Sequence, residues 1–206
     1  MKLLVKANDT IFEEGDKTQG LFIVNSGKVK IVSRDTERET LIRLASSGDI
    51  VGHRGFGGDW TYPISAIALV DCTLSFIPIA IFNKVAKANS EFTYQLMMFF
   101  AEELRISERK IKPSPVLNRV AMAIYFTYIA FGFKEDDPGV LSFTLSRKDM
   151  ANKAGTTYET VIRVLAELNK NAVIRLEGKN IRILDLPSLQ KIAQPRVGEP
   201  TGEEVV

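Results

Sequence analysis

Between Ser90 and Lys112 the chain holds neither glycine nor proline, and Lys112-Pro113-Ser114-Pro115 then ends the run. A stretch of good helix formers bounded in this way predicts one continuous helix. Met97, Phe100, Leu104, Ser107 and Ile111 recur at alternating intervals of three and four and so share one stripe. Leu96, Phe99 and Ile106 make a second apolar flank. A helix with two apolar faces must bury both. One can lie on the residues that precede the helix. The other needs a second copy of it, unless the helix is sandwiched within one chain. The stripe from Met97 to Ile111 is the candidate homodimer interface, with a helix sandwiched within one chain as the alternative.

That helix divides the chain. Before it, Leu21-Phe22-Ile23-Val24, Val29-Lys30-Ile31-Val32 and Thr40-Leu41-Ile42-Arg43-Leu44 are short β-branched and apolar runs, with further strands expected from Ile64 to Val70 and Thr73 to Ile77. Turn chemistry punctuates them at Glu14-Gly15-Asp16, Asn25-Ser26-Gly27, Ser47-Gly48-Asp49 and Gly57-Gly58-Asp59. Short strands with frequent turns predict a β jelly roll, sandwich or barrel. Residues 79–88 read as a short helix. After the prolines, Ser114 is a good N-cap and Pro115 suits the first position of a helix that runs to about Phe131 and stops at Gly132. The expected layout is an α+β chain: a β domain over 1–89, a dimerisation helix and hinge over 90–114, a third segment over 115–194, and a flexible tail over 195–206.

Composition narrows the chemistry. A single cysteine, Cys72, makes no internal disulfide, no four-thiolate zinc site and no cysteine-held iron–sulfur cluster. A single histidine, His53, leaves no multi-histidine metal site, which nearly excludes a cupin-like enzyme on the β barrel. No metal site and no catalytic site are expected. Nothing approaches the ~18 apolar residues of a membrane span, and the expectation is a cytoplasmic protein that is not an enzyme. Charge is close to balanced at +2, but 147–182 holds eight basic against four acidic residues. Such a local excess is a candidate phosphate-binding footprint.

The same segment carries the strongest motif. Arg147-Lys148-Asp149-Met150-Ala151-Asn152-Lys153-Ala154-Gly155-Thr156-Thr157-Tyr158-Glu159-Thr160-Val161-Ile162-Arg163-Val164-Leu165 reads as helix, turn, helix. Ala151 is small where two helices cross, and Gly155 permits a tight turn. Met150, Ala154, Val161 and Val164 form the apolar seam. Ser146 caps the first helix and Thr157 the second, whose first turns expose Tyr158, Glu159, Thr160 and Arg163. Arg can bond a guanine edge with two parallel donors, and Glu can accept from a cytosine amine. Hydroxyls and helix N–H groups suit phosphate. Val173 to Leu176 and Ile181 to Leu184 read as a hairpin whose turn places Lys179 beside a DNA backbone. Together these features predict a winged helix-turn-helix that binds double-stranded DNA.

The order of strands, long helix and winged helix-turn-helix resembles the CRP/FNR superfamily of bacterial transcription regulators. The resemblance rests on Ile11-Phe12-Glu13-Glu14-Gly15-Asp16, on Leu21 to Val29, on Gly48-Asp49-Ile50-Val51-Gly52 and on Glu159-Thr160-Val161-Ile162-Arg163-Val164-Leu165. It implies a cyclic-nucleotide-binding-like β domain and a homodimer on a two-fold symmetric operator. It also implies that Glu159 and Arg163 read bases while Ser146, Arg147 and Thr157 hold phosphates. Many relatives have Arg where this chain has Tyr158. By the same resemblance the 134–139 loop is an expected contact for RNA polymerase.

The effector region departs from that pattern. Cyclic-nucleotide-binding members carry Phe-Gly-Glu and Arg-Ser/Thr-Ala, where this chain has Val51-Gly52-His53 and Ile64-Ser65-Ala66. An isoleucine cannot offset a buried phosphate charge, so cyclic AMP is not the expected effector. Arg54 is the substitute cation to consider. Gly52, His53, Arg54, Ser65, Ala66, Ser107 and Glu108 delimit the candidate pocket for an unknown small molecule, with Glu108 unfavourable to phosphate. The oxygen-sensing branch uses four cysteines. The carbon-monoxide-sensing branch uses a haem-ligating histidine, which His53 keeps open, although a partly exposed loop residue is the commoner role for a histidine here. Trp60 and Tyr62 are pocket, core or lid aromatics. The alternative function is a haem- or other small-molecule-sensing module whose output depends on the barrel, and residues 146–182 argue against it.

Overall fold

The computed structural model of the protein describes residues 1–35, 38–108 and 114–193. They fall into two compact units, Met1–Arg34 with Ala45–Lys112, and Asp35–Leu44 with Pro113–Val206.

The strands before the helices are β1 (Lys2–Val5), β2 (Thr10–Phe12), β3 (Gly20–Ser26), β4 (Val29–Asp35), β5 (Arg38–Ala45), β6 (Ile50–Val51), β7 (Ser65–Ala68) and β8 (Cys72–Pro78); all but β5, of which only Ala45 is included, belong to the first unit apart from Asp35 at the end of β4. One sheet has the order β1-β8-β3-β6 and the other β2-β7-β4-β5. All the described pairings are antiparallel. Phe12, Phe22, Val24, Val29, Ile31, Val51, Tyr62, Ala66, Ala68, Cys72 and Leu74 close a single apolar core, which is the two-layer solution expected of short half-buried strands. Gly27, between β3 and β4, adopts φ 112°, and a Cβ there would lie 2.4 Å from the Cys72 sulfur. Both the backbone angle and the close approach require glycine.

Two helices follow, α1 (Ile79–Ala88) and α2 (Ser90–Glu108). Asn89, at φ −126°, separates them, and its side-chain oxygen accepts the Phe92 N–H at 2.9 Å. The break is thus also an N-cap for α2. Along α2, Tyr94, Met97, Met98 and Leu104 are each at least half exposed, between 50% and 58%. Ile111, with the Lys112-Pro113 part of the hinge, lies outside the described residues, as do the side chains of Ser107 and Glu108 and the tail from 194.

The second unit centres on α3 (Val116–Phe131), whose Val120, Ala121, Ala123 and Ile124 are fully buried. It packs against α4 (Arg147–Ala154), α5 (Tyr158–Lys170) and α6 (Leu186–Ala193). The start of α3 differs by one residue from the sequence expectation. Pro115 occupies the cap position rather than the first turn, and no side chain caps the helix. Proline lacks an N–H and tolerates either position, so composition alone does not fix the register. The hairpin consists of β9 (Ile174–Glu177) and β10 (Asn180–Ile183), joined at Gly178-Lys179 with Gly178 at φ 61°. α6 had no counterpart in the sequence reading; Asp185, whose carboxylate accepts the Ser188 N–H at 2.9 Å, is the signal that marks its start.

Candidate nucleic-acid interface

The helix-turn-helix is assembled from local hydrogen bonds. The Ser146 hydroxyl accepts the Asp149 N–H at 3.0 Å and donates to the Asp149 carboxylate at 2.7 Å, a reciprocal cap that fixes where α4 begins. Gly155 ends α4 in the left-handed region, φ 58° and ψ 47°. The Thr157 hydroxyl then accepts the Thr160 N–H at 3.3 Å and opens α5. Met150, Ala154, Val161 and Val164 are buried as the seam, and Ala151 is buried between them. Leu165 and Leu168 complete the inner face of α5.

That packing fixes which side chains of α5 face outward. Thr157, Tyr158, Glu159, Ile162 and Arg163 are exposed, and Thr160 is half-buried. The exposed face holds a carboxylate and a guanidinium four residues apart on the first two turns, one above the other. Arg147 is half-buried, and burial pushes its guanidinium below the usual range, with Tyr158 close enough to oppose that shift. Lys179 is exposed at the tip of the β9–β10 hairpin.

Not every cation in 147–182 belongs to an outward surface. Arg182 donates to both oxygens of Asp137, at 3.0 and 2.7 Å, and to Glu177 at 2.7 Å. Its charge is engaged within the fold, so the eight-to-four excess overstates the cationic face. The Lys153 ammonium donates to the Ile42 carbonyl at 3.0 Å and lies 4.6 Å from the centre of the Phe126 ring. The sequence reading also missed Arg119. From α3 it donates to the Ala154 carbonyl at 2.7 Å and to the Ser114 carbonyl at 2.6 Å, joining the end of α4 to the chain that enters α3. The one charged residue in an otherwise uncharged helix was the available signal.

In the first unit, the candidate pocket residues occupy two places. Gly52, at φ 84°, leads into a 3-10 turn, His53–Gly55. A Cβ at Gly52 would come within 3.3 Å of both the Gly20 carbonyl oxygen and the Tyr62 ring. Ser65 and Ala66 lie on β7 and are buried, and the Ser65 hydroxyl accepts the Glu14 N–H at 2.9 Å. Arg54 is exposed. His53 is not a partly exposed loop residue: it is 5% exposed, edge-on to Phe99 at 5.2 Å and 6.0 Å from the Phe100 ring centre. Phe100 is accordingly half-buried against His53, while Met97 and Leu104 face outward. Tyr62 is core, its hydroxyl donating to the Gly20 carbonyl at 2.8 Å, and burial pushes its phenol up. Trp60 is at the surface against Phe56. Among the described residues no three His, Cys, Asp or Glu side chains gather as a metal site, and no helix is long and apolar enough to cross a membrane.

Residues 2–89 match the cyclic nucleotide-binding domain family, and residues 118–192 match the Crp-like helix-turn-helix domain family. The chain is 27% identical over 195 residues to the fumarate and nitrate reduction regulatory protein of Vibrio cholerae, covering 92% of this chain and 77% of that one. It is 26% identical over 193 residues to the transcriptional activator protein anr of Pseudomonas aeruginosa, covering 92% and 79%. The fold is shared with FixK2 from Bradyrhizobium japonicum, at a TM-score of 0.80 and 19% identity, over 93% and 96% of the two chains. A β domain, a long helix and a capped helix-turn-helix in this order, matched in both halves, place the chain in the CRP/FNR superfamily of transcription regulators.

Proposed function

We propose that this protein is a sequence-specific DNA-binding transcription regulator that works as a homodimer on a two-fold symmetric operator. The observation that carries the reading is the outward face of α5, where Glu159 and Arg163 stand on a helix held from behind by a filled seam. In this arrangement Glu159 and Arg163 contact base edges, and Thr157, Thr160, Ser146 and Arg147 lie toward phosphates. Lys179 on the hairpin meets the backbone. The exposed apolar residues of α2, Met97 and Leu104 among them, supply a self-complementary face for the second copy. The 134–139 loop is the surface offered to RNA polymerase.

The residues of the first unit do not fit a buried cyclic phosphate. Ile64 stands where a cation is needed, the Ser65 hydroxyl is engaged by Glu14, and the neighbouring core is apolar. The effector, where one acts, is a different small molecule. His53 packed on Phe99 and Phe100 gives the β domain a direct hold on α2, and that hold is the route by which occupancy would reach the dimer.

Selection of bound fragments from a random duplex pool, with and without cell extract, tests the reading. The expected product is a two-fold consensus with half-sites about one helical turn apart, bound by purified protein without added ligand. Arg163→Ala should cost about 1–3 kcal/mol and relax the preference at one base pair per half-site. No enriched sequence, or an unchanged preference in the variant, would overturn the assignment.

A further inference from the structure

We infer that Tyr158 and Ile162 form an apolar reading edge on α5 that recognises the 5-methyl groups of thymine, so that the half-site carries thymine next to the pair read by Glu159 and Arg163. The inference rests on the DNA-binding reading above and specifies what that surface selects.

The exposed face of α5 is not uniformly polar. Its seam is already filled by Val161, Val164, Leu165 and Leu168, all buried. Ile162 therefore is not a core residue that has slipped outward. It is 44% exposed, and Tyr158, one turn before it, is 53% exposed. Residues four apart lie one above the other on a helix, so Tyr158 and Ile162 make one row and Glu159 and Arg163 the next, about 100° further round. Two parallel rows, one apolar and one charged, occupy the first two turns of the helix. A single exposed isoleucine is ordinary on a protein surface. An aromatic and a β-branched side chain stacked beside the two residues best suited to base edges present a different kind of surface.

The major groove offers only one apolar feature, the thymine methyl. Side chains at the start of a recognition helix reach base edges directly. An apolar row there gains by covering that methyl, and it penalises cytosine, whose exocyclic amine would lose its water without a hydrogen-bond partner. The charged row needs the opposite environment, polar edges that pair with a carboxylate or a guanidinium. The two rows side by side thus select adjacent base pairs of different character.

The test uses full-length protein and the operator recovered by selection. Each thymine of a half-site is replaced in turn by uracil, which removes the methyl and keeps every hydrogen-bonding group. At one or two positions the parent protein should bind the uracil operator about fourfold more weakly per methyl, the value of one buried carbon. Ile162→Ser and Tyr158→Ser should each lose that discrimination at a single position and bind thymine and uracil alike. Because both side chains are exposed, the variants should melt with the parent, which separates a lost contact from a lost fold. Uracil tolerated at every position by the parent, a penalty that persists in both serine variants, or an operator without thymine beside the Glu159/Arg163 pair would overturn the inference. Failure of the parent to select any DNA would instead remove the regulator reading itself.

Discussion

Arg119→Ala is the substitution that most directly examines how the second unit is held together. The guanidinium makes two hydrogen bonds to carbonyls from elements far apart in sequence, Ala154 at the end of α4 and Ser114 at the entrance to α3. A hydrogen bond from a charged donor contributes about 1.5–3 kcal/mol net. The two bonds share one half-buried side chain, so they do not add in full, and a loss of about 2 kcal/mol is expected. In a domain of this size each kcal/mol moves the midpoint by about 4–8 °C, so the helical unit should melt roughly 10 °C lower. Far-ultraviolet circular dichroism follows that unit. The fluorescence of the single tryptophan, Trp60, reports the first unit, which should be unmoved. Arg119→Lys keeps the charge but not the planar fork, and should recover only part of the loss. A melting point for Arg119→Ala within about 1 °C of the parent would refute the reasoning, since two bonds of the assumed strength cannot vanish unnoticed.

A second expectation concerns pH. The Arg182 hydrogen bonds hold the Asp137 carboxyl below the usual carboxylate range. A depressed folded-state value means that the stabilisation is present above the unfolded pKa, near 4, and is lost as pH falls through the lower folded value. The parent should therefore melt above Asp137→Asn at pH 7, and the gap should shrink as pH falls below the unfolded value and through the depressed folded one; a gap that does not change as the carboxyl is protonated would contradict the linkage. A third concerns assembly. Met97→Glu combined with Leu104→Glu puts two charges on the exposed face of α2, and sedimentation velocity should show monomers with weakened operator binding. A pair variant that still sediments as a dimer would move the interface elsewhere.

How far the sequence carried depended on the range of the interaction involved. Ser146 and Thr157 were identifiable as caps because a cap bonds an N–H three residues away, and both do so. Met150, Ala154, Val161 and Val164 were identifiable because helical period alone assigns them to one side. The strands of β3, β4, β5 and β8 were visible as β-branched runs, whereas β1, β2 and β6 are too short for alternation to register. What escaped was set by partners distant along the chain. Arg182 counts as a cation in any local tally, yet Asp137, 45 residues away, engages it. His53 reads as a loop residue until Phe99 and Phe100 close over it, and the same contact turns Phe100 partly inward. The proline at 115 shows a subtler limit, since it fits two successive positions at a helix start and only the packed helix selects between them.

The fork of Arg182 has a further consequence for the hairpin. By gripping Glu177 at the edge of the turn and Asp137 in the preceding loop, it braces the wing at its root. A brace of this kind stiffens the hairpin that carries Lys179 at its tip. The conformational freedom of those strands is surrendered when the protein folds, not when it lands on a duplex, so landing should proceed with little further ordering of that arm.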